Sequence, residues 1–308
     1  MAMITKKPVK YFVVDAFTDS AFKGNQAAVC VLKEEHERDD AWLQSLAAEF
    51  NISETCFITP VTGFDARFSL RWFTPALEVD LCGHGTLASA HSIFSNGLVD
   101  SDKVEFVTRS GILTAKRVPE NNKMKGGSFF IELDFPVIPT CEYNSINDIS
   151  MFSKALNGAT IVDVRRTTTN KIISEPFFNG TAKASSTDKI IVVLPSWESV
   201  IELQPKMDEI SKCPGKLIIV TAAAPEGSDY DFCSRFFSPK LGVDEDPVCG
   251  SAHCSLAHYW SLKMSKCDFL AYSASRRSGS LKVHYNKENQ RVLLIGKAVT
   301  VMKGFVLA

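Results

Sequence analysis

Few residues of this chain are suited to chemistry. Glu54 sits in Asn51-Ile52-Ser53-Glu54-Thr55, at the mouth of an apolar stretch. A carboxyl group in a partly apolar setting can hold or release a proton near neutral pH. Most glutamates are simply exposed, so this residue alone decides nothing. Two short boxes, Cys82-Gly83-His84-Gly85 and Cys249-Gly250-Ser251, carry more information because they are paired. Their glycines let a backbone approach a ligand closely, and His84 and Ser251 can add hydrogen bonds. If each box opens a helix, the N–H groups of its first turn and the positive dipole end suit a carboxylate. A cysteine at such a place has a lowered pKa. Two such thiols on opposite faces of one carbon are the acid and base of a racemase. The plainer reading of each cysteine is a small buried hydrophobe. Asp246, in Glu245-Asp246-Pro247 just before the second box, is either an asymmetric functional group or a turn residue before proline.

A duplicated unit must position these residues. Arg71, Phe73, Pro75, Leu77, Val79 and Asp80 recur at constant offset as Arg235, Phe237, Pro239, Leu241, Val243 and Asp244. Three residues then enter the second copy, read here as 245–247, before Cys82-Gly83 recurs as Cys249-Gly250. The spacing predicts helices over 86–94 and 252–260, each apolar on most faces and therefore central to its own half. Upstream, strands are expected at 11–17 and 27–32, around the turn signal Gly24-Asn25. Trp42, Leu43, Leu46, Ala47 and Phe50 fall at helical spacing, with Asp39 or Asp40 as cap, and 54–59 reads as the next strand. The second half follows suit with a strand at 188–195, a helix within 201–212 starting near Pro205, and a strand at 216–221. Lys216 then stands in the place of Glu54, so the scaffold is symmetric and the chemistry is not. The charge run 33–40, with His36, reads as solvated, and 120–127 and 134–149 as connecting segments. His91 reads as a core residue, and His253 and His258 point to different helix faces.

Composition bounds the function. The chain has 308 residues, enough for two domains, with 45% hydrophobic and 22% charged residues. A net charge of −1 gives no electrostatic reason to expect nucleic acid or an anionic membrane as partner. No apolar run reaches the roughly 18 residues of a membrane span. The opening stretch MAMITKKPVK has no apolar signal core, and the nine cysteines form no CxxC pair. Free thiols in the cytoplasm are the expectation. No metal-ligand spacing, GxGxxG or phosphate loop is present, so neither metal nor cofactor is expected.

Taken together, VDAF at 14–17, Gly24-Asn25-Gln26-Ala27-Ala28-Val29, Asn51-Ile52-Ser53-Glu54-Thr55, Arg71-Trp72-Phe73-Thr74-Pro75, Gly83-His84, Asp246-Pro247, Gly250-Ser251-Ala252 and Gly296-Lys297-Ala298-Val299-Thr300-Val301 are specific. With them the chain resembles the phenazine-biosynthesis-like (PhzF-type) isomerases over nearly its whole length. The resemblance implies an α+β, diaminopimelate-epimerase-like fold of two pseudo-symmetric halves, each a curved, barrel-like sheet around a central helix. The halves expected are 1–118 with about 297–308, and 119–296, with the site in the cleft between them. It also implies a homodimer and cofactor-free chemistry on a small carboxylate. Glu54 is then the proton shuttle, supported by His84, Asp246 and Ser251, with Asn25 and the backbone of Gly83 and Gly250 near the ligand. Cys82 and Cys249 also resemble the cysteine boxes of the wider superfamily's racemases and epimerases. A two-cysteine racemase is therefore the alternative, and a ligand-binding or regulatory protein without turnover the third reading.

Overall fold

The computed structural model describes residues 8–34, 37–120, 128–168 and 188–307. His36 and residues 121–127 lie outside the described residues. The chain divides into two compact units, 1–133 with 296–308, and 134–295. The first unit runs to Leu133, where the sequence reading places its end at 118.

In the first unit, β1 (Val9–Ala16) pairs antiparallel with β2 (Asn25–Val31). The helix α1 (Asp40–Phe50) leads to β3 (Glu54–Pro60), parallel to β2. Asp39 caps α1, accepting from the Trp42 N–H at 2.8 Å, and Asn51 ends it in the left-handed region. Strand β4 (Arg67–Phe73) follows antiparallel to β3, with the short β5 (Glu78–Val79) on its edge. Then come α2 (Gly83–Ser95), β6 (Lys103–Thr108), β7 (Gly111–Pro119) and β8 (Phe129–Pro136). The β7–β8 pairing, which reaches Ala115 opposite Leu133, carries this unit past 118. Helix α2 packs on β1, β2, β3 and β7, and its small side chains are almost all buried. An apolar core helix has no polar face to offer water.

The second unit repeats this plan. It contains β9 (Thr140–Glu142), α3 (Ile146–Ala155) and β10 (Asp163–Thr167). Strand β11 (Lys189–Val193), the short helices α4 (Trp197–Ile201) and α5 (Met207–Ile210), and β12 (Leu217–Ala223) follow. Next are β13 (Phe232–Ser238), β14 (Val243–Asp246), α6 (Gly250–Met264), β15 (Asp268–Ser273), β16 (Gly279–Asn286) and β17 (Arg291–Gly296). The sequence β11–β12 parallel, β12–β13 antiparallel, β13–β15 parallel and β15–β16 antiparallel matches β2–β3, β3–β4, β4–β6 and β6–β7. The last strand, β18 (Ala298–Val306), returns to pair antiparallel with β1.

Several sequence expectations are corrected. The helix expected within 201–212 from near Pro205 is present only as the four-residue α5 (Met207–Ile210), and 197–201 form the separate α4, since Pro205 lacks a donor and disfavours helix before it. Segment 134–149 is no bare connection, since it contains the end of β8, β9 and the start of α3. The three extra residues lie earlier than 245–247. Glu245 pairs with Phe237 as Glu78 pairs with Phe73, so the insertion falls in the 3-10 turn Pro239–Leu241 and the adjoining irregularity of β14. Asp246 thus occupies the position of Val79.

The register also moves the match to Glu54. Phe57 pairs with Arg71 and Val220 with Arg235, so Leu217, not Lys216, stands where Glu54 does. A slip of one residue turns a strand side chain to the other face. Across the parallel ladder, Ala27 pairs with Glu54 and Lys189 with Leu217. Each unit therefore carries one charge at this corner: an acid on the β3 side in the first, a base on the β11 side in the second. The recurring arginines are structural clamps. Arg71 donates from Nε and Nη2 to Glu78 at 2.8 and 2.7 Å, and Arg235 likewise to Glu245 at 2.7 and 3.0 Å. Each bidentate pair holds the short strand to its neighbour.

Candidate active site

Both helices begin at the glycine of their box, earlier than 86 and 252. Cys82 caps α2, its Sγ accepting from the Gly85 N–H at 3.3 Å. Glycine is a poor helix former, which hides it from a propensity argument. Close packing explains its use here. A Cβ on Gly85 would lie 2.8 Å from both Cys56 Sγ and Trp72 Cδ1 and 3.1 Å from Cys82 Sγ. The first turn of α2 is thus pressed against β3 and β4, and this places His84 beside the start of β3.

The first unit gathers Asn25, Glu54, Cys82, Gly83 and His84. Asn25 opens β2 and Glu54 opens β3, and both side chains are buried, Glu54 at 5% exposure. Asn25 Nδ2 lies 3.2 Å from His84 Nδ1, and Cys82 Sγ lies 3.4 Å from the same nitrogen. Burial pushes the His84 imidazolium down to about 4, opposed by a hydrogen bond to the Gln26 backbone. At neutral pH His84 is therefore an uncharged ring, able to donate at one nitrogen and accept at the other. Glu54, Cys82 and His84 offer ligand atoms that all lie within 4.8 Å of one another. Against the expectation of no metal-ligand cluster, the fold assembles three candidate ligands that no linear spacing could reveal. Cys56, which the sequence reading passed over, lies beneath them. Its Sγ contacts the Gly85 carbonyl at 3.4 Å, and burial followed by the Glu54 charge keeps its thiol protonated.

The second unit gathers Asp246, Cys249, Gly250 and Ser251 around Lys189, which the sequence reading missed because it looks like the polar end of an apolar strand. Lys189 is 3% exposed, and its Nζ donates to the Ser251 carbonyl at 2.9 Å and to Ser251 Oγ at 3.1 Å. Burial pulls its ammonium below the ordinary lysine range, against the opposing pull of Cys249, Cys254 and Asp246. The expectation of a lowered thiol pKa fails for Cys249. Burial, then the Asp246 charge, pushes it up to about 12, outweighing Lys189 and the Ser251 hydrogen bond. Here desolvation exceeds the helix dipole. Cys249 Sγ lies 3.6 Å from Ser251 Oγ. Asp246 Oδ1 accepts from the Val248 N–H at 3.2 Å, so it serves at least the turn across Pro247. Of the other histidines, His258 accepts from the Thr140 N–H at 3.3 Å and His91 is half-buried against Thr300 at 3.1 Å, not a core residue. A surface depression in this unit, bounded by Asp163, Arg165, Tyr259 and Lys263, contains none of the expected site residues.

None of the nine cysteines is in a disulfide, and no described helix is long and apolar enough to cross a membrane. An uncharacterized isomerase of Halalkalibacterium halodurans is 40% identical over 96% of this chain and 97% of its own. The mouse phenazine biosynthesis-like domain-containing protein 1 is 39% identical over 96% of this chain and 98% of its own. The crystal structure of an Enterococcus faecalis protein of the phenazine biosynthesis PhzF family superposes with a TM-score of 0.80 at 32% identity, covering 98% of this chain and all of that one. The family model described as phenazine biosynthesis-like protein matches residues 14–304, and with this full-length agreement in sequence and fold the chain belongs to the phenazine biosynthesis-like family.

Proposed function

We propose that the protein is a cofactor-independent isomerase of a small carboxylate bearing an acidic C–H, with Glu54 as the proton shuttle. In its ionised form Glu54 takes a proton from one carbon. The C–H electron pair enters the conjugated system of the substrate, a double bond shifts, and the protonated Glu54 returns the proton to a second carbon. Substrate and product differ in where that hydrogen and the double bond sit. The observation that carries this reading is the buried Glu54 carboxylate beside His84, a ring kept neutral by burial, in a chain whose relatives include proteins named as isomerases. His84 and Asn25 orient the substrate. By the family resemblance Asp246 and Ser251 have supporting roles, and the N–H groups at each box glycine, Gly83 or Gly250, suit a carboxylate. The reading includes a homodimer working in the cytoplasm.

The two-cysteine racemase is the second reading. Such an enzyme needs one thiolate and one thiol; Cys249 holds its proton up to about 12, so the thiolate falls to Cys82, whose Sγ accepts from the Gly85 N–H. Incubating the protein in D2O with a panel of small carboxylates that have activated C–H bonds, followed by proton NMR, tests the reading. It expects deuterium wash-in and a shifted double bond for at least one compound, without added metal or cofactor. Tight binding of panel members with no exchange would instead favour a binding protein, and inversion at one carbon without a shifted double bond would favour the racemase.

A further inference from the structure

We propose that Glu54, Cys82 and His84 form a binding site for one soft divalent cation, Zn²⁺ or Co²⁺, whose occupancy silences the site. A tetrahedral zinc centre has bonds of about 2.0–2.3 Å, which place its ligand atoms roughly 3.3–3.8 Å apart. Cys82 Sγ and His84 Nδ1 already stand at 3.4 Å. All three ligand atoms lie within 4.8 Å of one another, so the Glu54 carboxylate needs to close by no more than about 1 Å, which a side-chain torsion supplies. The donor set decides the ion. A thiol and an imidazole select zinc-like metals, whereas Mg²⁺ and Ca²⁺ require a shell of oxygens. Ring orientation is already set by the hydrogen bond to the Gln26 backbone, and a cation at Nδ1 displaces the Asn25 Nδ2 that lies 3.2 Å from it. Metal-bound histidines are normally fixed by such outer hydrogen bonds. Three protein ligands leave a fourth position for water or a carboxylate. A cation here takes the Glu54 oxygen and the His84 nitrogen, the groups assigned above to the proton and the substrate. The silencing therefore rests on the proposed function, whereas the binding does not.

The probe is Co²⁺, added to full-length protein freed of metal by a chelator and then exchanged out of it. Cys141 is exposed and Cys267 half-buried, so both are first replaced by serine to remove adventitious thiol ligands. One equivalent of Co²⁺ is expected to produce a thiolate-to-cobalt absorption band, displaced by one equivalent of Zn²⁺. Cys82→Ala is expected to abolish the band. Glu54→Gln, which keeps size and shape, is expected to keep the band and weaken affinity by at least about 10-fold. Equal Co²⁺ binding in Cys82→Ala, no effect of Glu54→Gln, or no stoichiometric binding to the parent would each overturn the proposal. None of these results requires a substrate, so their failure is separable from failure of the isomerase reading.

Discussion

The packing of α2 against β3 and β4 can be tested at Gly85. In Gly85→Ala the new methyl would meet Cys56 Sγ and Trp72 Cδ1 at 2.8 Å and Cys82 Sγ at 3.1 Å. Comfortable contacts lie near 3.5–4.0 Å, so two neighbours must each yield by roughly 0.7 Å or more. They have little freedom to do so. Cys56 and Trp72 are direct cross-strand partners in β3 and β4, with exposures of 0% and 1%. Overpacking of this kind costs about 1–3 kcal/mol, and the better helix propensity of alanine returns at most about 1 kcal/mol. The net expectation is a loss of about 1–2 kcal/mol, read as a lower urea midpoint at unchanged m-value. Because one clash is with a sulfur, Cys56→Ala should relieve part of it. The double variant is then expected to be more stable than the sum of the singles by at least about 0.5 kcal/mol. A Gly85→Ala protein as stable as the parent, or strictly additive singles, would refute the reasoning that α2 is seated this closely.

Two further outcomes follow from the second unit. Burial lowers the Lys189 ammonium, so between that lowered pKa and the ordinary lysine value the unfolded chain holds more protons and stability rises with pH. Below both values the penalty is fully present. Lys189→Met should flatten this alkaline rise by about 1.4 kcal/mol for each pKa unit of lowering, and an unchanged stability–pH curve would contradict it. Native thiol labelling at neutral pH, mapped by mass spectrometry, should mark exposed Cys141 and half-buried Cys267 first and leave Cys249 unmodified, since its thiol is protonated up to about 12. Rapid labelling of Cys249 would favour the thiol mechanism.

The duplicated plan was legible because strand and helix periodicities survive in both copies, and the Arg71 and Arg235 motifs fix their alignment. In the first unit Cys82, Gly83 and His84 were legible in the paired boxes, whereas Asn25 and the weight given to Glu54 came from the family resemblance. Glu54, Asn25 and His84 lie far apart in sequence, and nothing local to Glu54 reveals its burial. Two features hid from the sequence for physical reasons. A single-residue slip at β12 is invisible in an apolar run, yet it makes Leu217, not Lys216, the counterpart of Glu54 in the second copy. Lys189 looks like the polar end of a strand until the first turn of α6 closes over it. Cys249 misled in the other direction. A helix N-terminus lowers a thiol pKa in a polar setting, but at Cys249 the sequence cannot report the burial that reverses the sign.

The central claim is that one carboxylate moves the proton. Solvent deuterium wash-in at the substrate carbon, compared between the parent and the Glu54→Gln, Cys82→Ala and Cys249→Ala proteins, tests it most directly. General acid/base groups contribute roughly 10²–10⁴-fold. Glu54→Gln is therefore expected to keep the fold and ligand binding while losing at least about two decades of exchange rate, with both cysteine variants close to the parent. Exchange that survives Glu54→Gln yet disappears in either cysteine variant would contradict the account and assign the chemistry to the thiols.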